Sequence, residues 1–132
     1  MLDTSPLTAA VERFADRLRA APQSRLQQGA AETALELARE LSVRAQRLEA
    51  AARGAGDAVG AAPAREMPDA GIFVVGDQVA VAGLDLAEAL RAPATAGAAG
   101  GPVTGPDGTK APSGILDEAV RLVELAEVRA MR

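Results

Sequence analysis

A mainly α-helical chain carrying one small β-hairpin is the expected architecture. Apolar residues recur every three or four positions at Leu7, Val11, Phe14 and Leu18, again along residues 31–52, and again over 115–126, the spacing of one helix face. Two β-prone runs flank Gly76-Asp77, the arrangement of a two-residue hairpin turn. Stretches rich in Gly, Pro and Ala separate these units.

Ser5-Pro6 opens the first helix, with Ser as cap and Pro at the first helical position. It is expected near residues 6–20 and ends before Pro22. Ser24-Arg25-Leu26-Gln27 has the form of a capping box, so a second helix is expected near 25–53, closed by Gly54. The short Pro-containing turn between them makes residues 1–53 an antiparallel helical hairpin. Residues 54–68, with Gly54, Gly56, Gly60, Pro63 and Pro68, read as a linker.

A ββα insert is expected over 69–91. Its strands are Ile72-Phe73-Val74-Val75 and Gln78-Val79-Ala80-Val81, with Val74 facing Val79 and Ile72 facing Val81. Both faces are mostly apolar, so the hairpin must lie under helices or pair its edge with another chain. Asp85-Leu86-Ala87-Glu88 is a capping pattern for a short helix that follows it. Residues 92–112 are a Gly-, Pro- and Ala-rich flexible loop expected to be disordered. Ser113 or Gly114 caps a C-terminal amphipathic helix within 113–132, its stripe built from Leu116, Ala119, Val123 and their neighbours.

Composition limits what these elements can do. Of 132 residues, 32 are Ala, and Leu, Ile, Val and Phe together make 29 of 132, or 22%. The core is therefore thin, close to the roughly 20% at which chains tend to stay unfolded. With no Cys and no His, disulfides, Cys/His zinc sites, His-ligated haem and His- or Cys-based catalysis are excluded. The net charge of −4 lacks the basic excess of a sequence-independent nucleic-acid binder. Thirteen of the fourteen basic residues are Arg, which together with the Ala and Gly content fits a GC-rich bacterial genome. No run of about 18 apolar residues suggests a membrane span. The opening Met1–Pro6 has no secretory pattern, so a cytoplasmic protein is expected.

The second helix carries the most informative pattern. Ala31, Ala34, Ala38, Leu41, Ala45, Leu48 and Ala52 follow alternating spacings of three and four. Small residues at every heptad a position let another helix approach closely. This seam, with Ile72, Val74, Val79 and Val81 of the hairpin, is the expected interface for self-association or a partner.

Other motifs have ordinary explanations. Gly54, Gly56 and Gly60 lack the strand–turn–helix setting of a phosphate loop, and Gly105–Lys110 reads as a turn. Asp77 and Asp85 are accounted for by turn and cap chemistry. No catalytic, cofactor or metal site is expected. The leading expectation is a non-catalytic, self-associating helical protein acting as a scaffold or accessory subunit of a larger assembly. Two alternatives are a module binding an apolar small molecule, and a small regulator contacting nucleic acid through Arg13, Arg17, Arg19 and Arg25 on or just after the first helix.

Overall fold

A computed structural model describes residues 2–52, 65–92 and 111–132. Four helices form one bundle: α1 Ser5–Ala20, α2 Ala31–Ala52, α3 Val75–Arg91 and α4 Pro112–Ala130. The turn after Ala21 reverses the chain, so α1 and α2 are the two arms of a helical hairpin, as expected. Each arm packs on both α3 and α4, while neither α1 with α2 nor α3 with α4 makes substantial contact. α3 and α4 lie on opposite sides of the hairpin.

Polar contacts at both ends give the helix directions. Arg91 Nη1 donates to the buried Thr4 Oγ1 at 3.1 Å, and Arg19 reaches Asp77 at the other end, so α1 and α3 run antiparallel. Arg44 pairs with Glu118, and Arg25 Nη1 donates to the Arg132 carbonyl, so α2 and α4 also run antiparallel.

α1 matches its expected span. Leu7, Val11, Phe14 and Leu18 point into the core, and Pro6 sits in its first turn. Its cap is Thr4 rather than Ser5; the Ser5 N–H is instead satisfied by Asp3 Oδ1 at 2.9 Å. The second expected helix is interrupted. A helical turn at Gln23–Arg25 passes into a wider turn, Leu26–Ala30, in which Gly29 takes φ 122° and ψ −15°. The Ala31 N–H reaches back to the Leu26 carbonyl. An L side chain rarely adopts such a positive φ, so glycine permits the break. The cap of this turn is Pro22, and Ser24, expected as the cap, lies inside it.

Residues 69–91 overturn the expected hairpin. No strand occurs among the described residues: Ile72–Val74 form one turn of 3₁₀ helix, and α3 then runs unbroken to Arg91. Gly76-Asp77 does not turn the chain. A type I′ turn needs positive φ at both central residues, and among the described glycines only Gly29 and Gly71 have it. Gly76 and Gly83 instead let α1 come close. A Cβ on Gly76 would lie 3.1 Å from the Ala15 carbonyl oxygen. Asp85, expected as a cap, is an exposed residue inside α3.

The reason is burial. Val75, Val79, Ala82, Leu86 and Leu90 recur at helical spacing and enter the common core with Phe14, Leu37, Leu41, Leu116 and Val123. A two-stranded hairpin alone is marginal in water, whereas one helix covers both arms of the α1/α2 hairpin at once. The expected linker glycines at 54, 56 and 60 and the loop at 93–110 lie outside the described residues.

Candidate functional site

The expected interface residues are spread between core and surface. Ala31, Ala34, Ala38, Leu41, Ala45 and Val79 are buried inside the single chain. Leu48, Ile72 and Val74 are half-buried, and Ala52 and Val81 are exposed. The small-residue seam of α2 is thus lined by the chain's own helices, chiefly α3, and its outer end at Ala52 remains open.

The apolar surface that stays uncovered lies elsewhere. Because α3 turns Val75, Val79, Leu86 and Leu90 inward, its opposite face carries Val81 and Leu84, 52% and 47% exposed, while Phe73, 74% exposed, lies in the 3₁₀ turn before it. Positions 77, 80, 81, 84 and 88 share one side of α3. Asp77, Asp85 and Glu88 rim this face. Arg19 Nη2 and Nε hold Asp77 Oδ1 at 2.7 and 3.0 Å, and this bonding raises the guanidinium pKa further. Alongside Leu84, a shallow groove of about 320 Å³ runs between α1 and α3.

α4 presents a second such face. Leu116, Ala119, Val123, Ala126 and Ala130 point inward. Leu125 and Val128, 61% and 59% exposed, point outward beside Arg121, Arg129 and Arg132. Glu127 on the same helix is turned in. Arg13 Nε and Arg17 Nη1 each donate to its carboxylate at 3.1 Å, locking α4 to α1. Burial of a carboxylate demands such charged donors.

Those contacts engage the basic residues considered for nucleic acid. Arg13 and Arg17 are paired with Glu127, Arg19 with Asp16 and Asp77, and Arg25 with the Arg132 carbonyl. The patch is charge-compensated within the chain.

A concavity of about 570 Å³ lies between the C-terminal halves of α2 and α3. Its walls mix polar and charged side chains, among them Gln46, Glu49, Asp85 and Glu88, with apolar ones such as Met67 and Ala89. An extended strap, residues 65–71, runs beside it. Gln46 Oε1 accepts from the Arg65 N–H at 2.7 Å and its Nε2 donates to the Arg65 carbonyl at 2.8 Å. Arg39 Nε donates to the Met67 carbonyl and Gln78 Nε2 to that of Pro68, each at 2.8 Å. Three side chains thus tie the backbone of this segment to α2 and α3. Among the described residues no group of three Asp or Glu is placed to hold a metal ion, and no helix is long and apolar enough to cross a membrane.

Phe73, Leu84, Leu125 and Val128 were not singled out by sequence reasoning. For Leu84 the signal is helical spacing opposite to the buried stripe, readable only once 75–91 is taken as one helix, whereas Leu125 and Val128 lie opposite the buried stripe of a helix the sequence already suggests. Comparison of the chain with protein-family models, curated proteins and solved structures finds no match.

Proposed function

We propose that this chain is a non-catalytic helical interaction protein that self-associates and serves as a scaffold or accessory subunit of a larger assembly. One observation carries this reading. The bundle closes a core of its own, yet Val81 and Leu84, one turn apart, remain together on the solvent side of α3. Contiguous exposed apolar side chains with a polar rim mark association surfaces. The alternatives have less support: the groove beside the strap carries several charged side chains on its walls, and the Arg patch is paired internally.

Light scattering coupled to gel filtration over a dilution series tests the reading. The wild-type chain is expected above its 13.4 kDa monomer mass at micromolar concentration, falling toward it on dilution. The Val81→Glu, Leu84→Glu double variant is expected at monomer mass with an unchanged helical spectrum. A wild-type mass of 13.4 kDa at every concentration overturns the reading.

A further inference from the structure

We propose that copies of this chain associate head to tail, the acid-rimmed apolar face of α3 in one copy docking on the arginine-rimmed apolar face of α4 in the next. The inference rests on the self-association reading and adds its mode. Charge decides between the possible pairings. The charges beside Val81 and Leu84 are Asp77, Asp85 and Glu88, with Glu12 and Asp16 across the groove at Leu84, against two cations, Arg91, which is turned onto Thr4, and Arg19, which is shared between Asp77 and Asp16. Those beside Leu125 and Val128 are Arg121, Arg129 and Arg132, against one acid, Glu124.

Pairing α3 with α3 brings two acid-rimmed faces together, and pairing α4 with α4 does the same with arginines. Like charges across an interface are costly, whereas α3 on α4 sets opposite charges around a shared apolar centre. Both faces are single-helix surfaces of the same kind, two large apolar side chains one turn apart, so each offers the other a matching stripe. Because α3 and α4 lie on opposite sides of the α1/α2 hairpin, one copy can use both faces at once. Such a contact is heterologous, and it propagates unless a rotation closes it.

The experiment mixes two full-length variants. Leu84→Glu disables the α3 face and Leu125→Glu the α4 face; both residues are exposed, and the far-UV spectrum and melting temperature check that each variant folds. For the wild type, the weight-average mass in sedimentation velocity should rise with concentration without a plateau and fall as salt is raised. Each variant alone should be monomeric. Their equimolar mixture should form a complex of two chains, through the one α3 face and the one α4 face left intact.

A charge-only pair gives an independent readout. Asp85→Arg with Glu88→Arg, and separately Arg121→Glu with Arg129→Glu, should each weaken association, and mixing the two should restore the wild-type distribution. If Leu125→Glu alone still dimerises, the pairing is α3 on α3; if Leu84→Glu alone does, it is α4 on α4. Either result overturns the head-to-tail mode and leaves self-association standing, as does a mixture with no complex from a wild type that associates. A monomeric wild type overturns both.

Discussion

Gly83 lies directly against Val11: a Cβ added at position 83 would sit 2.6 Å from both Cγ atoms of that valine. This contact sets how closely α1 and α3 approach. It also sets the rotation of α3, because turning Gly83 toward α1 leaves Leu84 and Val81 on the solvent side. The missing side chain thus shapes both the core and the surface assigned to association.

Gly83→Ala is therefore expected to destabilise the fold, although alanine in a helix interior is favoured over glycine by about 1 kcal/mol. Overpacking costs about 1–3 kcal/mol and outweighs that gain, because α1 must move away from α3. Thermal melts followed by circular dichroism should show a lower midpoint. In the Val11→Ala background the same change should cost less, giving a coupling energy between the two sites. An unchanged or raised midpoint for Gly83→Ala in the wild-type background contradicts the close approach.

Glu127→Gln keeps the shape of the buried side chain and removes the charge that Arg13 and Arg17 share. Hydrogen bonds to charged groups contribute about 1.5–3 kcal/mol, and both arginines are half exposed, so a loss near 1–2 kcal/mol is expected. Arg13→Gln and Arg17→Gln should each cost less than Glu127→Gln, since one charged donor remains. Denaturant unfolding of the three variants measures the order.

Val79→Asp should unfold the bundle, whereas Gln78→Asp should be tolerated. Val79 is fully buried among α1 and α2, and an isolated buried carboxylate costs several kcal/mol. Gln78 lends one hydrogen bond to the Pro68 carbonyl, worth about 1 kcal/mol. Equal melting midpoints for the two variants would contradict a continuous α3.

Gln46→Ala is expected to release the strap without unfolding the bundle. The two hydrogen bonds to Arg65 are exposed, so the global cost stays within about 1 kcal/mol. Amide exchange at Arg65 should accelerate while the amides of α2 keep their protection. Global loss of protection would show that the strap is an integral part of the core.

Much of the helical architecture was legible in the chain itself. The stripe Leu7, Val11, Phe14, Leu18 of α1 and the run Ala31 to Ala45 of α2 have strong contrast between apolar and charged positions, so their 3.6-residue period is visible within a few turns. The turn after Ala21 is equally local, since Pro22 stops one helix and directs the chain back. Gly29 is the exception. It broke the expected second helix near its start, where capping and periodicity had favoured continuity.

Residues 72–91 could not be read in the same way. Ile72, Val74, Val75, Val79 and Val81 satisfy an alternating pattern and a helical one together, and Gly76-Asp77 resembles a turn when taken alone. What separated the two readings is the surface of α1 and α2, against which a helix can bury Val75, Val79, Leu86 and Leu90 on one side while Gly76 and Gly83 admit α1. The sequence by itself determined where helices pay no local penalty and which side of α1 faces the core; that the α2 seam is covered by the chain's own helices came from the tertiary structure. Only the tertiary structure decided the state of 72–91 and which apolar residues stay outside, because both depend on area buried against helices distant in the chain, and that term exceeds the local preference of a valine-rich segment.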